Sequence, residues 1–277
     1  MGIKNKLKKG GNAAIKLFKS KNVVPIYLRK DGNKMLDGKT ALITGGASGI
    51  GFGIAKAFIE AGSKVIIAGR NEEKLSKACE KLGNNAKFAV LDVSKISIIS
   101  DKIEEASKLF NPNGQIDILV NSAGTHGNQH FIDVTEDTFD SVIDINLKGT
   151  YFMCQKMGRY MIDHKIKGHI LNISSASALR PAWTPYEISK WGVCGMTKGI
   201  AGALIKHGIV VNAIGPGPVA TEMLGRDEND TLYMQENPSK RYAVSDEIGQ
   251  MAVYLASDFC NLVVGDTLYM TGGTGIV

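Results

Sequence analysis

The sequence predicts an α/β protein in which one doubly wound domain is built on a seven-stranded, mostly parallel sheet. Three observations lead there. Past Asp37, short β-branched runs alternate with longer stretches of helical period, the pattern of strands joined by helical crossovers. The first of these runs ends in a glycine-rich turn that opens directly into a helical pattern. No internal repeat or long linker divides residues 37–277, so the seven runs fill a single unit.

The elements follow in order. Strands are expected at Thr40 to Thr44, Lys64 to Ala68, Lys87 to Leu91, Ile116 to Asn121, His169 to Ser174, Val210 to Ile214 and Thr267 to Met270. Ile50, Ile54, Phe58 and Ile59 recur at helical spacing after the first strand. Near the other end, Ile248, Met251, Ala252 and Leu255 do the same, and Ser245-Asp246 offers an N-cap before them. In such an open sheet a ligand sits at the carboxyl ends of the strands, where the strand order reverses.

Composition closes off other classes. Apolar residues make up 44% and charged residues 22%, as in ordinary globular proteins, which excludes collagen-like, disordered and coiled-coil chains. The 32 glycines in 277 residues exceed the usual share of about 7%, so the backbone turns sharply or touches something closely in many places. Cys79, Cys154, Cys194 and Cys260 form no C-x-x-C pair and read as reduced thiols. The 5 histidines have no metal-ligand spacing, so no metal is expected. No apolar run approaches the length of a membrane span and no secretory signal is recognisable, which makes the cytoplasm the expected compartment.

The net charge of +6 is unevenly spread. Residues 1–36 form a basic amino-terminal extension, and the domain proper is expected over 37–277. Ile3, Leu7, Ala14, Leu17 and Phe18 can share a helical face between lysines, interrupted at Gly10-Gly11. The extension suits packing on a neighbouring subunit, or contact with an acidic carrier protein or an anionic membrane; nothing in it reads as a nucleic-acid motif.

Thr44-Gly45-Gly46-Ala47-Ser48-Gly49-Ile50-Gly51 has the makings of a phosphate turn. Glycines at 45, 49 and 51 let the backbone approach a pyrophosphate, whose charge then meets a helix amino terminus; Ser48 and Ile50 lie in the same cradle. This is the dinucleotide turn of a Rossmann-type domain. The second strand ends in Ala68-Gly69-Arg70 instead of an acid. A small residue followed by Arg leaves room and charge for a 2′-phosphate, favouring NADP(H) over NAD(H). After the third strand, Asp92 with Val93 can reach an adenine, or Asp92 can cap the turn at Ser94.

Taken together, Thr44 to Gly51, Asn121-Ser122-Ala123-Gly124, Asn146, Ser174-Ser175, Tyr186-x-x-x-Lys190 and Pro216-Gly217 occur in the order and approximate spacing of the compact short-chain dehydrogenases/reductases. The resemblance covers residues 37–277. Its carboxyl-terminal stretch, from Leu255-Ala256-Ser257-Asp258 to Gly272-Gly273, is similar to that of the 3-oxoacyl carrier-protein reductases and the sugar or steroid dehydrogenases.

That resemblance implies hydride exchange between a nicotinamide and a small carbonyl or alcohol substrate by a homotetramer. It implies Tyr186 as the acid, Lys190 as its cationic neighbour, Ser175 as the hydroxyl on the substrate oxygen and Asn146 as a relay residue that kinks its helix. The chemistry needs such a set. A phenol near pKa ~10 must be coaxed to exchange protons, a cation one helical turn away favours its ionisation, and a hydroxyl donor stabilises developing oxyanion charge. The interval from Ser175 to Tyr186 is about two residues shorter than is usual in the family, which leaves Ser174 as an alternative.

By the same resemblance Asn121, Ala123 and Gly124 line the cofactor cleft. Pro216, Gly217, Val219 and Thr221 meet its nicotinamide end, where Tyr186 and Lys190 also touch it. The substrate wall is expected among His126, Arg180 to Trp183, Met223, Leu224 and Tyr233. A 3-oxoacyl substrate is the leading expectation, with a sugar, polyol or steroid as the rival. A nucleotide-binding scaffold or redox sensor would have no chemical need of the Asn, Ser, Tyr and Lys set.

Overall fold

The computed structural model describes residues 34–127, 130–226 and 230–275. The expectations for residues 1–33 lie outside them. Seven strands are present: β1 (Thr40–Thr44), β2 (Lys64–Gly69), β3 (Ala86–Val90), β4 (Ile118–Asn121), β5 (His169–Ile173), β6 (Val210–Pro216) and β7 (Thr267–Met270). All neighbouring pairs are parallel, in the order β3-β2-β1-β4-β5-β6-β7. The order reverses between β1 and β4, and that is the switch point at which ligands of such sheets bind.

Parallel strands buried on both faces need apolar residues at every position, and β1, β2 and β4 supply them. Ile43, Ile67 and Val120 point to one face. There they meet Ile54 and Phe58 of α1 (Gly49–Glu60), Leu75 of α2 (Glu72–Leu82) and Ile248 of the carboxyl-terminal helix (Ser245–Leu255). Leu42, Ile66 and Leu119 point to the other face. They pack on Ile99 and Ile103 of α3 (Ile99–Ser107) and on Met153 and Met157 of the long helix at Thr150–Asp163. The helices between α3 and the carboxyl terminus are α4 (Glu136–Ile143), α5 (Thr150–Asp163) and α6 (Pro185–Leu204), which makes the last one α7.

Two details depart from the sequence expectation. The amino end of α7 is capped without Ser245-Asp246: the helix begins at Ser245, and the Glu247 carboxylate accepts the Val244 N–H at 3.0 Å. Asp246 instead bonds Lys56 of α1 at 2.8 Å, which ties the two helices together. Leu36, numbered with the extension, is fully buried in the core, and its N–H donates to the Ala61 carbonyl at 3.0 Å.

Candidate active site

The cleft starts where β1 ends. Thr44 Oγ1 accepts the N–H groups of Ser122 and Ala123 at 3.2 Å each, so the ends of β1 and β4 are fixed to one another. Gly45 takes a φ of +68°, and a Cβ there would meet the Ala123 backbone at 2.9 Å. A Cβ on Gly51 would overlap the Gly45 carbonyl oxygen. These positions admit only glycine, and the turn they make leaves Ser48 as an extended N-cap whose side chain makes no cap hydrogen bond to α1. The amino end of α1 is therefore open to an anion.

Gly45, Ser48, Gly49, Ile50 and Gly51 form one wall of a cavity of about 470 Å³. Ser175, Tyr186 and Lys190 are on the same cavity, with Pro216, Gly217, Val219 and Thr221 beyond them. Thr184 begins α6 as a capping box with Glu187, and Pro185 occupies the first turn; this places Tyr186 at the helix mouth and Lys190 one turn deeper. Lys190 is buried and its Nζ donates to the Ile173 carbonyl at 2.9 Å, 5.5 Å from the Tyr186 ring centroid.

Burial lowers the Lys190 ammonium to about 8, with a small opposing contribution from Cys194. Burial also pushes the Tyr186 phenol up, and a hydrogen bond with Ser175 offsets part of that. In this cleft desolvation is the main influence on the phenol, and the lysine Nζ is bonded to a backbone carbonyl.

The two serines point to different tasks. Ser174 is buried, its Oγ donating to the Lys190 carbonyl at 3.0 Å and lying 3.1 Å from Cys194 Sγ. Ser175 caps the short turn Ala176–Leu179, accepting the Ser177 N–H at 3.1 Å, and keeps its hydroxyl beside Tyr186.

Asn146 lies in a π-helical turn, Asp144–Gly149, between α4 and α5. Its amide is bonded twice to Thr125, Oδ1 accepting the N–H and Nδ2 donating to the carbonyl, both at 2.8 Å, and Nδ2 also reaches Ser189 Oγ at 3.2 Å. A Cβ on Gly124 would sit 3.4 Å from Asn146 Oδ1 and 4.0 Å from Lys190 Nζ, so Gly124 keeps the space between those two open.

Other expected residues fall away from the cavity. The Asn121 side chain is buried beneath it, donating to Asn172 Oδ1 at 2.9 Å and Cys154 Sγ at 3.2 Å. Ala123 packs on the core. Arg70 is exposed at the end of β2. Asp92 accepts the N–H and the hydroxyl of Ser94 at 3.0 and 2.7 Å. Burial works against the Asp92 charge, but those bonds and the nearby Arg70 hold its carboxyl below the ordinary value. Val93 is buried, with its carbonyl 2.9 Å from where a Gly149 Cβ would be.

On the substrate side His126, Arg180, Met223 and Leu224 line the cavity, whereas Trp183 and Tyr233 are exposed outside it. Ile173, Met234 and Tyr242 take their place. Ile173 was readable as a strand end. Met234 and Tyr242 were not, because a long-range pairing of Val219 with Ala243 brings that segment to the cleft.

The family model described as short chain dehydrogenase matches residues 39–232. The chain is 36% identical over 249 residues to a 3-oxoacyl-[acyl-carrier-protein] reductase of Chlamydia muridarum, covering 87% of this chain and 99% of that protein. It is equally 36% identical over 253 residues to a galactitol 2-dehydrogenase of Agrobacterium fabrum, covering 86% and 98%. A crystal structure of 3-ketoacyl-(acyl-carrier-protein) reductase from Brucella melitensis, complexed with NADH, superposes with a TM-score of 0.79 at 31% identity, covering 87% of this chain and 100% of that one.

Proposed function

The chain belongs to the short-chain dehydrogenase family and is an oxidoreductase of that kind, and from this premise we propose that it interconverts a ketone and a secondary alcohol with NADP(H), in the manner of the 3-oxoacyl reductases. The observation that carries the reading is the meeting of Ser175, Tyr186 and Lys190 on one cavity with the glycine turn of β1. The glycine cradle fits a nicotinamide dinucleotide, since Gly45 and Gly51, where a Cβ would meet the chain's own backbone, let the turn tighten and leave the amino end of α1 open to a pyrophosphate. Ser48, Gly49 and Ile50 would hold the pyrophosphate, Arg70 a 2′-phosphate and Asp92 with Val93 the adenine. Asn121, Ala123 and Gly124 would support the ribose side, and Pro216, Gly217, Val219 and Thr221 the nicotinamide end.

A nicotinamide held there would supply the hydride for a carbonyl carbon, or accept one from the alcohol carbon. The chain's own residues handle the oxygen. Burial keeps the Tyr186 phenol protonated at neutral pH, and even so it is a far stronger acid than the alcohol, so in reduction it gives its proton to the substrate oxygen. Ser175, its Oγ held by the Ser177 N–H, donates a hydrogen bond to that same oxygen, keeping its proton, and stabilises the charge as it develops. The Lys190 ammonium favours the phenolate left behind and returns a proton by way of the opening at Gly124 and Asn146.

We further propose a domain over 37–277 to whose core Leu36 also belongs, a cytoplasmic homotetramer, and a basic extension over 1–36 whose part before Leu36 packs on a neighbouring subunit or meets an acidic carrier protein or anionic membrane. Sugar or polyol oxidation is the second reading, supported by identity to the galactitol 2-dehydrogenase as high as that to the reductase. The deciding experiment is oxidation of NADPH and of NADH by the whole chain against 3-oxoacyl thioesters, keto sugars, ketosteroids and small ketones. Turnover of thioesters over all others supports the first reading; selective turnover of keto sugars moves the assignment to the second.

A further inference from the structure

Arg180 stands on the turn between β5 and α6, six residues before Tyr186, on the wall of the same cavity. Its backbone is fixed from two sides. The N–H donates to the Ser177 carbonyl at 3.3 Å, and the carbonyl accepts the Trp191 indole N–H at 2.8 Å. Trp191 follows Lys190 on α6, so the helix that carries Tyr186 and Lys190 also holds this turn in place.

The guanidinium is exposed and, like that of Arg70, forms no ion pair among the described residues. Arg159 and Arg241 pair with Asp163 and Glu247, Arg226 stacks on Tyr242, and Arg70 lies in the field of Asp92. Arg180 has no carboxylate partner among the described residues, although Glu187 is close in sequence. The Glu187 Oε2 is already occupied by Trp183 N, Thr184 N and Thr184 Oγ1, at 3.0, 3.1 and 3.0 Å. Glu222, also on the cavity wall, lies 3.6 Å from Lys74. Lys190 is tied to Ile173. Among the described residues Arg180 is thus a positive charge on this wall without a carboxylate partner, and a planar guanidinium with a vacant fork is shaped for a carboxylate.

Resting on the keto–alcohol chemistry above but not on its 3-oxoacyl substrate, we infer that the substrates of this site are small oxo or hydroxy carboxylates, whose carboxylate pairs with Arg180 while the reacting oxygen faces Tyr186 and Ser175. A phosphate on a carrier arm offers similar anionic chemistry from farther away, and the test separates the two.

The experiment uses the whole chain with NADPH and NADH. One pair of substrates is a five- or six-carbon oxo acid and its neutral amide. The other is a 3-oxoacyl thioester of pantetheine phosphate and its dephosphorylated form. Expected is a kcat/KM at least tenfold higher for the oxo acid than for its amide, carried mainly by KM. That ratio should collapse toward one in Arg180→Ala and recover in part in Arg180→Lys.

Equal use of acid and amide, a ratio untouched in Arg180→Ala, or a preference that follows the pantetheine phosphate would overturn the inference and leave the ketone-reductase reading standing. Full activity in Tyr186→Phe would instead defeat that reading. Calorimetry of the same oxo acid on Tyr186→Phe with NADP+ present reads binding without turnover. Tenfold or greater weakening on adding Arg180→Ala supports the pairing, and equal binding refutes it.

Discussion

The imidazole of His126 lies stacked on the phenol ring of Tyr186, with ring centroids 4.4 Å apart and planes inclined by 28°. One face of the proposed acid is thereby covered by a residue that follows β4, and its orientation is set by packing as well as by α6. Aromatic pairs of this kind contribute about 0.5–1.5 kcal/mol beyond burial, which is roughly a tenfold effect at most. His126→Ala should lower kcat/KM about three- to tenfold, while His126→Phe, which preserves the stack, stays close to the parent. Equal losses in both variants would show that the imidazole contributes through its nitrogens.

Tyr186→Phe removes the proton and little else. Turnover should fall by about two orders of magnitude or more, with dinucleotide affinity near that of the parent. Steady-state rates combined with cofactor titration by fluorescence check both halves, and retained turnover on any substrate the parent reduces would contradict the assignment.

Arg70 is exposed, and Asp92 is the acid within its field. If it grips a 2′-phosphate, Arg70→Ala should weaken NADPH by about 1–3 kcal/mol and leave NADH nearly as before. Kd values for both dinucleotides decide it, and a parent that prefers NADH would reverse the cofactor assignment.

His169 opens β5 far from the cleft, buried and with Nε2 unpartnered. Burial lowers it to about 4; Lys39 lowers it too, while Asp258 and Asn261 act the other way. The unfolded imidazole titrates near ~6.5, so below that pH the unfolded chain binds the proton more readily than the native one does. Stability should therefore be fully present above pH ~6.5 and decline toward pH ~4, by about 2–4 kcal/mol from this residue. Denaturant melts of the parent and of His169→Gln should diverge in slope over that window; parallel curves would exclude His169 as the cause.

Leu36 is fully buried against α1 and β2, and its N–H is bonded to Ala61. Leu36→Ala should cost about 2–5 kcal/mol of stability. A chain beginning at Lys34 should fold and reduce small substrates, whereas one beginning at Lys39 should melt markedly lower. Thermal melts of the three proteins check this, and equal midpoints would mean that the segment before β1 adds nothing to the core.

Strand positions and the glycine turn were readable because they follow from local rules: period-two and buried-run patterns for the sheet, and a backbone that only glycine permits between Thr44 and Gly51. The family's Tyr-x-x-x-Lys spacing is likewise local, since four residues make one helical turn. By resemblance the sequence pointed to Ser175, with Ser174 kept as an alternative because of the short interval to Tyr186. The fold separates them, because α6 places the Lys190 carbonyl against Ser174 and leaves Ser175 beside Tyr186.

The sequence by itself determined a parallel α/β sheet, the phosphate turn and the residue types of the site. Only the tertiary structure decided that Lys190 Nζ bonds the Ile173 carbonyl, that desolvation raises the Tyr186 phenol, that His126 covers the phenol, and that Met234 and Tyr242 line the pocket where Trp183 and Tyr233 do not. Periodicity and turn chemistry act over one or two turns of chain, whereas desolvation and pocket shape depend on segments tens of residues apart, whose meeting is a property of the packed whole.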